Sequence, residues 1–251
     1  MKTLVAVDVG NTSIHMARYT QGRWRFRRRV PTEDFKKSAL AGLSMVLPKN
    51  KDARVVIASV VPDAGKYLEN TIPKKLGVPA HLIGPKFPVP IKNLYKSPRQ
   101  VGVDRLLNGL AAFEEIHGAV IVLDFGTAIT FDVISKKGDY LGGVIAPGIE
   151  ISLEALFQKT ALLPNIRLQH PKRIIGADTV ESIRVGCSVG IGGLCDRIVE
   201  EIERKSHFRS KVIATGGYAR FMSKYCRRIS SIDPDLIFKG ILLTDQYHFS
   251  K

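Results

Sequence analysis

Val5-Ala6-Val7-Asp8-Val9-Gly10-Asn11-Thr12, near the start of the chain, and Ile121-Val122-Leu123-Asp124-Phe125-Gly126-Thr127-Ala128, near its middle, decide the fold. Each is a short apolar run ending in Asp-x-Gly, the pattern of a buried strand closed by a tight turn. The second lies 116 residues after the first, close to half of the 251-residue chain. The downstream stretches match as well. Residues 12–20 and the run from Arg23 read as strands joined by a turn at Gln21-Gly22. Residues 129–134 and 140–145 repeat this around Lys137-Gly138-Asp139. Self-similarity of this kind points to an internal duplication of one α/β unit.

Outward from the first motif, the order reads β-β-β-α-β-α-β. Residues 33–46 have helical spacing closed by Pro48, residues 54–61 are strand-like, Pro62 suits a helix first turn, and residues 80–83 close the set. In Arg23–Arg27, alternation puts Arg23, Arg25 and Arg27 on one face and Trp24 and Phe26 on the other, core-facing one. Residues 84–100 hold four of the 13 prolines and read as a loop, and residues 103–116 as a helix. A boundary near residue 117 divides the chain into an N-terminal domain, 1–117, and a C-terminal domain, 118–251. The second half continues with a helix near 150–158, a long helix from 178 to about 205, a strand at 211–214 and a helix after Gly216-Gly217. Gly186, Gly190, Gly192 and Gly193 cost the long helix intrinsic stability and imply close packing, within the chain or across a dimer contact.

Composition narrows the classes. At 45% hydrophobic and 24% charged, the chain is an ordinary globular one. No stretch approaches the roughly 18 apolar residues of a membrane helix, and the N-terminus meets Asp8 too soon for a signal peptide. Cys187, Cys195 and Cys226 have no metal-ligand spacing and read as reduced thiols of a cytoplasmic protein. The net charge of +15, from 38 Lys and Arg against 23 Asp and Glu, raises nucleic acid or anionic ligands as partners. Its clusters are short and broken, so the preferred reading is a basic enzyme with its charge spread over the surface. Arg23–Arg29 reads as a solvated edge strand that blocks edge pairing.

Three motifs carry chemistry. Each Asp-x-Gly turn presents backbone N–H groups that can nest an anion, Asn11, Thr12, Ser13 and Thr127 add side-chain donors, and the aspartate can hold a metal ion or its water shell. Two such turns facing each other across a cleft would clamp one nucleotide. Ala214-Thr215-Gly216-Gly217, at a strand-to-helix turn, gives a flat group such as adenosine room to lie on the backbone. Gly102-Val103-Asp104-Arg105 opens a helix; its carboxylate can take the proton of an attacking hydroxyl, and its guanidinium can hold a carboxylate or phosphate.

Together these stretches resemble the type III pantothenate kinases, of the actin and sugar-kinase superfamily. The resemblance runs through Asp8–Thr12, Ser59–Pro62, Tyr95, Gly102–Arg105, Asp124–Ala128, Gly142–Gly148, Thr179, Ala214–Gly217 and Asp233–Leu236, in the family's order. It implies an α/β, duplicated actin-like (ribonuclease H-like) fold around a nucleotide cleft, and ATP-dependent phosphorylation of pantothenate, the first step of coenzyme A synthesis. It implies Asp104 as catalytic base. ATP would meet Asp8, Val9, Gly10, Asn11, Thr12, Ser13, Ile14, His15 and Thr127. Pantothenate would meet Tyr95, Gly102, Val103, Asp104, Arg105 and Thr179. Asp124 would hold a monovalent cation (K⁺ or NH₄⁺), with Mg²⁺ on the phosphates, in a homodimer.

Blander readings stand beside these. His15 is a half-exposed neighbour of phosphate rather than a proton shuttle. Asp178 or Thr179 can cap the long helix, with Glu181 completing a capping box from Asp178. Tyr95 alone is a loop aromatic. A non-catalytic nucleic-acid-binding regulator on the same fold is the alternative function, and a kinase for another hydroxyl substrate a third.

Overall fold

A computed structural model describes residues 3–249. The chain folds as two compact units, one formed by residues 3–114 and 235–249, the other by 115–234.

The first unit is built on a five-stranded sheet of β1 (Thr3–Val9), β2 (Ser13–Thr20), β3 (Arg23–Pro31), β4 (Ala53–Ser59) and β5 (Ala80–Leu82), in the order β3-β2-β1-β4-β5. The β1–β2 and β2–β3 pairs are antiparallel, and β4 and β5 add on in parallel. Helices α1 (Phe35–Val46) and α2 (Pro62–Leu76) cover one face, where Val5, Val7, Ile14 and Met16 meet Leu43, Leu68 and Ile72. Pro62 opens α2, and Gly77, at φ 73°, closes it in the left-handed conformation that glycine adopts without strain. The opposite face carries small residues, Ala6, Ala17 and Ala58, against α3 (Val103–Ile116) and α8 (Leu236–Phe249).

The second unit repeats this plan. Its strands β6 (Val120–Phe125), β7 (Ala128–Ile134), β8 (Tyr140–Pro147), β9 (Lys211–Thr215) and β10 (Ser231–Ile232) lie in the order β10-β9-β6-β7-β8. Two antiparallel neighbours stand on one side of the central strand and two parallel ones on the other, as in the first sheet. Asp8 pairs across to His15 and Ala58, and Asp124 to Thr130 and Thr215, so the two aspartates hold equivalent places. The duplication read from the sequence is therefore present as two similar five-stranded halves. Helices α4 (Ile149–Lys159), α5 (Thr179–Val185), α6 (Ile191–Ser206) and α7 (Ala219–Met222) complete the unit. Cys187, Cys195 and Cys226 are free, buried thiols of its core.

The structure differs from expectation at three places. The last helix, assigned with the second half, packs on the first sheet. Gly240 lets it cross α3 at backbone distance, since a Cβ there would lie 2.3 Å from the Leu107 carbonyl oxygen. The Arg54–Asp245 ion pair ties α8 down, with Nη2 to Oδ2 at 2.6 Å and both groups nearly buried. Second, Phe26 is not a core residue. A bulge opposite Ala17 puts Phe26 at φ 53° and leaves it 51% exposed, with the Arg18 guanidinium over its ring. Beyond the bulge the alternation inverts, and Arg27 joins Trp24 on the Phe238 side, where it pairs with Asp235. Third, the long helix is broken by a π-helical turn, Gly186–Gly190. Of the four glycines of this stretch, Gly192 packs closely within the chain, its Cβ position 2.4 Å from the Tyr225 carbonyl oxygen, and Gly186, Gly190 and Gly193 have no heavy atom within 4 Å of theirs.

The basic strand β3 is the sheet edge, and Arg23, Arg25, Arg28 and Arg29 are exposed on it. No described helix is long and apolar enough to cross a membrane.

Candidate active site

The first Asp-x-Gly motif closes as a tight turn. The Gly10 N–H donates to the Ser13 carbonyl (3.0 Å), leaving Asn11 and Thr12 exposed at the tip. Thr32, buried just beyond β3, fixes this turn from outside. Its hydroxyl donates to the Gly10 carbonyl (2.7 Å) and its N–H to the Thr12 carbonyl (3.1 Å). Val9 and Ile14 bury their side chains in the core, so only their backbones are available to a ligand. His15 lies directly opposite Asp8, with its Nε2 2.9 Å from the Ser13 hydroxyl. Burial, and then the Arg29 charge, pull the His15 pKa below its usual value, so the ring is neutral at pH 7. A cavity of 850 Å³ opens beside the turn, lined by Asn11, Thr12, Ser13, Arg29, Thr32 and Glu33 among others.

Asp104 stands in the first turn of α3. The Arg105 N–H donates to its Oδ1 (2.9 Å). Gly102 makes room for it: a Cβ on Gly102 would fall 2.3 Å from that oxygen and 3.6 Å from Val60 Cγ1. The Val60 N–H in turn donates to the Val9 carbonyl (3.1 Å). The Gly102–Arg105 stretch thus sits at the same end of the first sheet as the Asp8–Ser13 turn. Burial pushes the Asp104 carboxyl above the ordinary carboxylate value, against the weaker pull of the Arg105 N–H and guanidinium. A carboxyl raised in this way is a stronger base when ionised. Tyr95 lies in the preceding loop, half-buried, its N–H held by Asn93 Oδ1 (3.0 Å).

In the second unit, the Gly126 N–H donates to the Ala128 carbonyl (3.1 Å), the counterpart of the first turn. Two glycines from distant loops press on it. A Cβ on Gly148 would lie 2.0 Å from the Thr127 carbonyl oxygen. One on Gly216, at φ 88°, would lie 2.4 Å from Asp124 Oδ1 and 2.6 Å from the Phe125 carbonyl oxygen. Gly216 is therefore a support for Asp124, whereas Gly217 faces open space. Beside them, the Tyr218 hydroxyl donates to Glu150 (2.7 Å), and burial with that bond pushes its pKa up to about 12.

Thr179 is exposed at the first position of α5. Asp178 is the cap, its Oδ1 accepting the Glu181 N–H (2.8 Å). The capping box is half formed, because the Glu181 carboxylate accepts from the Lys172 N–H (3.2 Å) instead. Among the described residues no three His, Cys, Asp or Glu side chains converge as a metal site. Sequence reasoning missed Thr32, which has no motif around it, and the packing role of Gly148.

The description "type III pantothenate kinase" belongs to the family that matches residues 4–201. A type III pantothenate kinase of Myxococcus xanthus is 37% identical over 245 residues, covering 95% of this chain and 96% of its own. One of Finegoldia magna is 38% identical over 248 residues, covering 95% of each. Among solved structures, the inorganic polyphosphate/ATP-glucomannokinase of Arthrobacter sp. strain KM is similar over 100% of both chains, with a TM-score of 0.53 at 17% identity, a likeness of fold.

Proposed function

The chain belongs to the type III pantothenate kinase family, and we propose that Asp104 is the base of its reaction. The reaction is the ATP-dependent phosphorylation of pantothenate to 4′-phosphopantothenate, the first step of coenzyme A synthesis. Phosphoryl transfer asks mainly for positioning and charge stabilisation. Asp104 takes the proton of the primary hydroxyl, whose oxygen forms a bond to the terminal phosphorus of ATP as the bond to the leaving ADP oxygen breaks. The observation that carries this is the Asp104 carboxyl itself, raised in pKa by burial and seated over Gly102 at the sheet end that also bears the phosphate turn.

Arg105 holds the pantothenate carboxylate, and Tyr95, Gly102, Val103 and Thr179 complete that site. The backbone and hydroxyls from Asp8 to His15, with Thr127, hold ATP. Asp8 with the substrate phosphates suits Mg²⁺, which binds through one or two carboxylates and phosphate oxygens. Asp124 would supply a carboxylate oxygen to K⁺ or NH₄⁺, with the Phe125 carbonyl oxygen beside it, while Gly216 packs against both and holds them in place. Bound cations offset the negative charge of the phosphates. Exposed apolar side chains of the second unit, Ile145, Phe157, Leu162, Ile174 and Ile175, suit a homodimer.

The test is product formation from ATP and pantothenate with Mg²⁺, in potassium against sodium buffer. Turnover that needs potassium supports the reaction and the Asp124 site together. A folded, ATP-binding protein that leaves pantothenate unphosphorylated in both buffers overturns the reading and points to another hydroxyl acceptor.

A further inference from the structure

We propose that Arg29 is the cation that grips the terminal phosphate of ATP at the Gly10–Ser13 turn. This rests on the reading of that turn as the ATP phosphate site. The placement comes from register. Asp8 on β1 lies opposite His15 on β2, and His15 opposite Arg29 on β3. Residues directly opposite across antiparallel strands share a face, so the three form a row across the sheet beside the turn. The bulge at Phe26 sets this row. Thr20 pairs with Arg23 and Arg18 with Arg25, a register that, if continued, would bring Arg28 opposite His15. The extra residue moves Arg29 there instead.

Charge makes the placement consequential. The donors of the turn, Asn11, Thr12 and Ser13, are neutral, and His15 is held neutral as well. Among the described residues lining the adjoining cavity, Arg29 is the only cation and Glu33 the only carboxylate. Without Arg29, a polyphosphate arriving there would meet the Glu33 carboxylate and no basic side chain among the described lining residues. Neighbouring arginines are engaged elsewhere: Arg27 on Asp235, Arg28 on the Arg27 carbonyl, Arg18 over Phe26. No described carboxylate lies within ion-pair distance of Arg29, and its strand is the exposed sheet edge. A guanidinium offers two parallel N–H groups to a phosphate, a fit that an ammonium does not reproduce.

The experiment is calorimetric titration of the full chain with Mg²⁺ and either a non-hydrolysable ATP analogue or ADP, for wild type, Arg29→Gln, Arg29→Lys and, as a control, Arg25→Gln. The expected result is a loss of about 10- to 100-fold in affinity for the triphosphate in Arg29→Gln, as for a lost charge-assisted hydrogen bond. ADP affinity should change less than about threefold on the same reasoning, Arg29→Lys should recover part of the loss, and Arg25→Gln should match wild type. Should Arg29→Gln fold poorly, the triphosphate-to-diphosphate ratio of Arg29→Lys decides. Wild-type binding with an unchanged ratio in the variants overturns the role of Arg29 alone, as does an equal loss for both nucleotides. A wild type that binds neither nucleotide overturns the phosphate-turn reading, and this proposal with it.

Discussion

Replacing Gly102 by alanine is the most revealing single change to the site. The added Cβ would lie 2.3 Å from Asp104 Oδ1, against the 3.4 Å at which ordinary van der Waals contact begins. The backbone at Gly102 is not left-handed, so alanine is conformationally tolerated. What must yield is the Asp104 carboxylate, by about 1 Å. A misplacement of about 1 Å in a reacting group costs on the order of 100-fold in rate. Folding loses little beyond the Arg105 N–H bond to Oδ1, about 1 kcal/mol. Gly102→Ala should therefore lower kcat on the order of 100-fold with near-native thermal stability and an unchanged KM for ATP. Steady-state kinetics with a thermal melt decides it. A kcat within about threefold of wild type, in a variant as stable as wild type, refutes the reasoning that Gly102 sets the carboxylate's position.

The same geometry sets three other outcomes. Gly216→Ala must place a Cβ at φ 88° against Asp124 and the Phe125 carbonyl, and should both lower the melting temperature and weaken any dependence of the rate on potassium. Asp245→Asn leaves the nearly buried Arg54 without its ionic partner and should cost about 3–5 kcal/mol in chemical denaturation, as broken buried pairs do. Asp104→Asn should raise stability at neutral pH while removing activity. The folded protein holds the Asp104 proton more tightly than the unfolded chain does, so wild type loses stability as pH rises from the unfolded value through the raised folded one. The stability difference between Asp104→Asn and wild type, measured by denaturation at several pH values, should grow across that window and then level off.

The features legible in the sequence, and those hidden from it, have physical causes. The duplicated halves were legible because Asp8 and Asp124 each end an apolar run at a glycine turn, a local pattern of period and punctuation. The Gly102–Arg105 stretch was legible for the same reason, its residues being close in the chain. The bulge at Phe26 was not, since Arg-x-Arg alternation continues through it and only pairing with β2 exposes the extra residue. Helix α8 was missed because Leu236–Phe249 is apolar on several sides, so it lacks an amphipathic stripe, and the elements it packs on, β1, β4 and α3, are remote in sequence. Thr32, Gly148 and Gly216 act on backbone atoms of distant turns, and a contact of that kind leaves no trace in local spacing.

The central claim is that Asp104 removes the proton of the attacking hydroxyl. It is tested most directly by the pH dependence of kcat/KM for pantothenate in wild type and Asp104→Asn. Wild type should show an acid limb whose midpoint lies above the 3.8 of an ordinary aspartate, since burial raises this carboxyl. Asp104→Asn should be about 100- to 10,000-fold slower, with that limb gone. A variant that keeps the wild-type rate, or that keeps the same acid limb, contradicts the claim.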